Sequence, residues 1–148
     1  MDGPQLQESR QTAAGDRSVI TEAAFGTLGL TICYDLRFPA LYQALTDQGA
    51  IAHSVPSAFT ATTGDAHWHA LLRARAIENQ GYVIAPAQHG QHSANRSSYG
   101  HSVIIDPWGR VLAEVDDGDG YAIAIIDPAA VTQVREQLPS LKNRRPFS

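Results

Sequence analysis

The sequence predicts an α/β protein whose mixed β-sheet is covered by helices. Short apolar runs rich in β-branched residues alternate with longer segments of helical periodicity up to residue 85. Three more strand-like runs then follow in succession, and such a meander adds antiparallel strands to a sheet. The helices are few for a sheet of this size. We therefore expect the sheet to need another layer, either from a partner chain or from further sequence.

Apolar runs and turn signals define the elements of the first part. Residues 1–18 are polar, with a Gly-Asp turn signal, and are expected to be a surface lead-in. The predicted elements are a strand over residues 28–33, a helix from Pro39 to Gly49, a strand over 50–55, a helix over 66–80 and a strand over 82–85. The second helix takes Asp65 as its N-cap. Its apolar face consists of Ala70, Leu71, Ala74 and Ile77.

The remaining elements are shorter. Residues 89–98 (HGQHSANRSS) are polar and are expected to form a loop. Three strands are predicted next, over residues 101–106, 110–115 and 121–127. A last helix carries Val131 and Val134 on one face, and residues 139–148 are expected to be an extended basic tail.

Composition and charge exclude several kinds of protein. The 148 residues suit one domain, 43% of them are hydrophobic, and the formal net charge is −4 without a basic run. Nucleic acid and anionic membranes are therefore not expected partners. No apolar run approaches the ~20 residues of a membrane span. With one cysteine and no signal-peptide core, a soluble protein of the reducing cytoplasm is predicted.

The single cysteine, Cys33, stands where an apolar strand leads into a helix. A side chain at such a corner can project from the carboxyl edge of the sheet, where open α/β folds place their sites. The following backbone amides can stabilise an oxyanion, so a nucleophilic role in acyl transfer is one interpretation. The other is structural, because free cysteines are often buried and behave as small hydrophobes.

Several motifs together resemble the nitrilase superfamily of carbon–nitrogen hydrolases, closest to its omega-amidase and deaminated-glutathione-amidase branch. The resemblance covers nearly the whole chain. The matching segments are GLTICYDLRFP (29–39), PSAFT (56–60), GDAHW (64–68), LRARAIENQ (72–80), GHS (100–102), DPWG (106–109) and the arginines 144–145. It implies that these 148 residues are the C-terminal portion of a longer αββα sandwich with a mixed sheet.

The resemblance also implies a chemistry and assigns roles. A cysteine thiolate attacks an amide or nitrile carbon, a glutamate is the general base, and a lysine helps to stabilise the oxyanion. Cys33 matches the nucleophile, and the backbone N–H of Tyr34 would join the oxyanion hole. Glu8 matches a second glutamate, which orients substrate and assists proton transfer. No cofactor is implied.

Two catalytic positions of the family have no counterpart in this sequence. The family's lysine and first glutamate precede the segment of Glu8, and the one lysine here, Lys142, lies in the basic tail. Loss of members of a catalytic unit costs orders of magnitude in rate. We therefore expect this polypeptide to be inactive or nearly so by itself, and to associate with a second copy or with a complementary N-terminal half.

Arg37, Phe59 and Thr60 are the candidate substrate-binding residues. Arg37 can bind a substrate carboxylate or instead pair with a nearby carboxylate of the protein. Phe59 and Thr60 lie on a loop that could line a pocket, although core packing is the alternative for Phe59. These residues fit a small amide that carries a carboxylate.

The histidines do not predict a metal site. His67 and His69 are two residues apart, His89 and His92 three, and neither pair has the spacing of a helical zinc pair. Three hypotheses follow: an amidase of which this chain is one portion, a non-catalytic remnant or split subunit, and a metal-dependent hydrolase that uses the histidines. The resemblance favours the first.

Overall fold

The computed structural model of the chain describes residues 12–116 and 118–145. The strands are β1 (Val19–Ala23), β2 (Gly26–Leu30), β3 (Ala52–Ser54), β4 (Tyr82–Ala85), β5 (His89–Ser93), β6 (Arg96–Tyr99), β7 (Ser102–Ile105) and β8 (Val111–Val115). Six of them form a sheet in the order β1-β2-β3-β4-β7-β8, and β5 pairs with β6 in a separate ribbon. The helices are α1 (Pro39–Asp47), α2 (Ala61–Asn79) and α3 (Pro128–Gln137). The predicted α/β class with a mixed sheet is confirmed.

Strand direction brings several chain segments to one edge of the sheet. Strands β2, β3 and β4 are parallel, and α1 and α2 are the crossovers that parallel pairing requires. Strand β7 pairs with β4 in the antiparallel direction. The ends of β2, β3 and β4 therefore lie beside the start of β7, and we call this side the carboxyl edge.

The two faces of the sheet bury different clusters. Within β4, Val83 and Ala85 pack on the face covered by α1 and α2, whereas Tyr82 and Ile84 pack on the face covered by α3. The first face holds the larger core. Its buried members are Leu36, Tyr42, Val55, Phe59, Trp68, Leu72, Ala76, Val83, Ala85, Val103 and Ile105.

Helix α2 begins four residues before the predicted Asp65 cap. The N-cap is Thr60, whose side chain accepts a hydrogen bond from the Thr63 N–H at 3.3 Å. The following Thr and Gly residues are weak helix formers, which is why the sequence predicts a loop there. The predicted apolar face was wrong as well, because Ile77 is 47% exposed. The buried residues of α2 are Gly64, Trp68, Leu72, Arg75, Ala76 and Asn79.

The predicted loop over residues 89–98 is in fact the hairpin of β5 and β6. Its pairing runs from His89 opposite Tyr99 to Ser93 opposite Arg96, with an irregularity after Gln91. These strands are polar on both faces, so they lack the alternation by which a strand is recognised from sequence. The hairpin packs against α2, and Ser98 forms a bridge with Thr60.

The predicted strand over residues 121–127 does not form in the described structure. This segment has no hydrogen-bonded neighbour strand, and its alternating apolar residues face outward: Tyr121 is 83%, Ile123 77% and Ile125 85% exposed. The tail also departs from the extended prediction, because the Asn143 N–H closes a turn on the Pro139 carbonyl. Among the described helices, none is long and apolar enough to cross a membrane.

Candidate active site

Cys33 lies at the carboxyl edge, in a backbone conformation that few residues adopt. Strand β2 stops at Leu30, three residues earlier than predicted, and Cys33 begins a 3₁₀ turn that ends at Arg37. Its φ of 46° is in the left-handed region, which is rare for a residue with a Cβ and recurs at functional sites. The side chain is partly exposed and contacts the larger core. A sharp turn after a strand exposes a nucleophile in the same way in other α/β enzymes.

Two hydrogen bonds hold the start of the Cys33 turn. The Cys33 N–H donates to the Pro56 carbonyl at 2.9 Å, which ties the turn to the chain after β3. The Ile32 N–H donates to Oδ2 of Asp35 at 2.9 Å. Tyr34 is the second residue of the turn, and the first N–H groups of a helical segment have no intrahelical acceptor. Its amide is therefore in a position to donate to a bound group.

Two buried hydroxyl groups, those of Thr31 and Tyr42, form a hydrogen bond just before the Cys33 turn. The Thr31 hydroxyl donates to the Ser54 carbonyl at 2.8 Å. Since its one proton is used there, the Tyr42 hydroxyl must donate to Thr31 Oγ1, 2.8 Å away. Burial raises the pKa of Tyr42 to about 12, so this phenol stays protonated. Neither residue was identified from the sequence, since the pair joins two elements.

Arg75 fixes the other end of the turn from helix α2. Its Nε and Nη2 donate to the Leu36 carbonyl at 3.0 and 2.7 Å, and Nη1 donates to Glu78 at 2.8 Å. The guanidinium also lies 5.4 Å from the centre of the Tyr42 ring. Arg75 is 5% exposed while the Glu78 side chain is 42% exposed, so this ion pair is half buried. Its positioning role was missed, because Leu36 is 39 residues away.

Arg37 and Phe59, two predicted substrate-binding residues, are in contact. The Arg37 guanidinium lies 5.3 Å from the centre of the Phe59 ring and 5.6 Å from that of Tyr34. It also lies 3.4 Å from Nδ1 of His67, which must accept because a guanidinium only donates. Among the described residues, no carboxylate pairs with Arg37. Phe59 is 7% exposed and packs on Trp68, so it belongs to the core as well.

Of the remaining predicted site residues, Thr60 is described by the structure and Glu8 is not. Thr60 is exposed, and its hydroxyl caps α2 and bonds Thr63 Oγ1 at 2.8 Å. A substrate contact by Thr60 stays a prediction. Glu8 lies outside the described residues.

The fold is that of an α/β protein with a mixed sheet. At the carboxyl edge of this sheet it presents a candidate thiol nucleophile, Cys33, in a turn that ends at Arg37. The chain belongs to the carbon–nitrogen hydrolase family, whose sequence pattern matches residues 1–136. This finding confirms the family that the motifs indicated.

Relatives whose names are known support this family assignment. The chain is 53% identical to a deaminated glutathione amidase of Synechocystis sp., over 97% of this chain and 53% of that protein. The crystal structure of the C. elegans NitFhit protein superposes with a TM-score of 0.91 at 46% identity, over 98% of this chain and 36% of that one. The chain spans about half the length of the curated relatives it matches.

A further solved structure shows a reaction at a cysteine. It is a variant of the amidase from Nesterenkonia sp. AN1, in which the acetamide moiety of fluoroacetamide is added covalently at the active-site cysteine of that protein. It superposes with a TM-score of 0.78 at 25% identity, over 97% of this chain and 50% of that one.

Proposed function

We propose that Cys33 is the nucleophile of an amidase-type reaction on a small amide that bears a carboxylate. The thiolate attacks the amide carbon and forms the C–S bond of a tetrahedral intermediate. The C–N bond then breaks, ammonia leaves with a proton, and water hydrolyses the thioester to release the acid. The left-handed backbone of the partly exposed Cys33 is the observation that carries this proposal.

The residues around Cys33 have separate roles in this proposal. The Tyr34 N–H donates to the oxyanion of the tetrahedral intermediate. Arg37 binds the substrate carboxylate, since rings hold its guanidinium while no described carboxylate neutralises it. Phe59 supports that guanidinium, and Thr60 borders the same loop. Glu8 is proposed to orient the amide and assist proton transfer, as the resemblance implies.

The chain alone is proposed to be a poor catalyst. The single lysine, Lys142, lies in the turn that follows α3, and α3 packs on the sheet face opposite to the cluster that contacts Cys33. It is therefore badly placed to stabilise an oxyanion at Cys33. A non-catalytic remnant or a split subunit is the alternative function, and it differs in predicting an unreactive thiol.

Thiol labelling with an amidase assay tests this proposal. We expect iodoacetamide at neutral pH to label Cys33 in the folded chain, with mass spectrometry as the readout and Cys33→Ser as the unlabelled control. Labelling only after denaturation would identify a buried structural cysteine and contradict the proposal. Turnover of omega-amides by the purified chain at enzyme-like rates, abolished in Cys33→Ser, would confirm the nucleophile and overturn the expected inactivity.

Association and location complete the proposal. We propose that a second copy of the chain or a complementary polypeptide covers the exposed apolar residues 121–125. A free thiol nucleophile must stay reduced, so the cytoplasm is the proposed location.

A further inference from the structure

Three side chains from three elements meet beside the start of β7, away from Cys33. They are His69 of α2, His101 in the turn before β7, and Glu114 of β8. Nε2 of His69 lies 2.7 Å, and Nδ1 of His101 3.0 Å, from the same Glu114 oxygen, Oε1. We call these three residues the His-Glu-His cluster. In sheet order β7 is three strands from β2, so the cluster lies roughly 14 Å from the Cys33 turn.

We infer that the His-Glu-His cluster binds a divalent transition-metal ion of borderline softness, with Zn²⁺ as the best fit. Two imidazoles and a carboxylate are ligands that Zn²⁺ accepts together, with a water molecule at a fourth position. The three ligand atoms lie within 4.8 Å of one another. Ligand atoms around tetrahedral zinc are about 3.3 Å apart. Small side-chain movements would therefore bring the three ligand atoms to the spacing that a bound ion needs.

The surroundings of His101 hold its ring as a metal ligand needs to be held. Its backbone has a φ of 60°, and its carbonyl accepts a hydrogen bond from Trp68 Nε1 at 2.8 Å. The Tyr99 ring stacks on the imidazole with centroids 4.3 Å apart. These contacts restrict the backbone and the ring orientation of His101.

Partial exposure leaves room for the ion and its fourth ligand. The side chains of His69, His101 and Glu114 are 33%, 26% and 22% exposed. An ion at the cluster is therefore reachable from solvent, and it would fasten α2 to the β7–β8 hairpin.

The competing explanation is a hydrogen-bonded cluster that takes no metal. In that case two imidazole N–H groups donate to Glu114 and satisfy it without an ion. The two explanations differ in what they predict for added Zn²⁺, because only a metal site saturates at one ion for each chain.

Calorimetric titration of the tag-free full chain with Zn²⁺ alone tests the inference. Every protein carries Cys33→Ser, so that the thiol does not compete for the ion. We expect one ion for each chain, a thermal unfolding midpoint that rises with Zn²⁺ concentration, and more than about tenfold weaker binding in His69→Gln and in Glu114→Gln. The matched control is His92→Gln, since His92 bonds Ser98 outside the cluster.

Co²⁺ gives a second readout that does not depend on stability. Bound at the cluster it should show the intense visible absorption of tetrahedral cobalt, which His69→Gln abolishes and His92→Gln retains. Circular dichroism confirms that each variant is folded. The inference is overturned if Zn²⁺ does not bind stoichiometrically, or if His69→Gln and Glu114→Gln bind it as tightly as His92→Gln does.

Discussion

His53 is a buried histidine in β3, at a position where the sequence pattern calls for an apolar residue. Its ring stacks on Tyr42, with centroids 5.3 Å apart. Thr46 donates its hydroxyl proton to Asn79, so Nε2 of His53 must donate to Thr46 Oγ1, 3.2 Å away. Nδ1 is left buried without a partner. Burial, aided by the charge of Arg135, lowers the pKa of His53 to about 4.

Stability should therefore depend on pH through His53. In the unfolded chain its pKa is ordinary, near 6.5, so below that pH the unfolded state binds a proton that the folded state refuses. The stabilising contribution is complete above pH 6.5 and is lost as the pH falls toward 4, by up to roughly 3 kcal/mol. Urea unfolding at about pH 7 and about pH 5 measures the part of this loss that occurs between these two pH values.

One variant isolates the part of this pH dependence that belongs to His53. His53→Leu removes the titrating group from this buried site, so the fall in unfolding free energy between the two pH values should shrink. His92→Gln, at an exposed histidine, should keep the fall seen in the parent chain. An unchanged pH dependence in His53→Leu would show that other groups cause it.

At the scale of elements, α2 organises the candidate active site. It carries Arg75, which holds the Cys33 turn, and His69 of the His-Glu-His cluster. Its first turn lies against the β5–β6 hairpin, where Gly64 is buried beside Tyr99. A Cβ at Gly64 would overlap Cβ and Cγ of Tyr99, and the Cβ atom cannot move away unless the backbone moves.

Gly64→Ala should destabilise the protein although it improves helix propensity. Alanine favours a helix interior over glycine by about 1 kcal/mol. The overlap with Tyr99 should exceed this gain and cost a net 1–3 kcal/mol, roughly, by overpacking. Chemical unfolding provides the measurement, and Asp65→Ala, at the exposed neighbouring position, is the control with little expected effect. An increase in stability for Gly64→Ala would contradict this close contact.

At the scale of the whole molecule, the most notable feature is segment 121–125, whose large apolar side chains are exposed. Its residues alternate as a strand would, yet no described strand pairs with them. The end of the segment is anchored, because the hydroxyl of Tyr82 lies 3.2 Å from the N–H of Asp127. Three large apolar side chains in a row are therefore held at the surface, which is unusual for a chain that stays alone.

Charge on this segment should change the association state. We expect the chain to associate in a concentration-dependent way by light scattering, and the double variant Ile123→Lys/Ile125→Lys to shift it toward the monomer. Leu138→Lys, at an apolar residue that is 50% exposed elsewhere, is the matched control. A folded parent chain that is monomeric at all concentrations would contradict the prediction.

Local sequence by itself determined the α/β class, helix α1 from Pro39, strand β4 and the placement of Cys33 between a strand and a helix. These features depend on periodicity and on Gly and Pro signals, which act over a few residues. The family motifs added the candidate roles of Cys33, Tyr34 and Glu8.

Only the tertiary structure decided the start of α2, the polar β5–β6 hairpin and the failure of residues 121–127 to pair. It also brought Arg75 to the Leu36 carbonyl and assembled the His-Glu-His cluster from residues up to 45 positions apart. The physical reason is the same in each case. Strand pairing and side-chain hydrogen bonds depend on which segments the sheet places side by side, and local patterns carry no information about such distant neighbours.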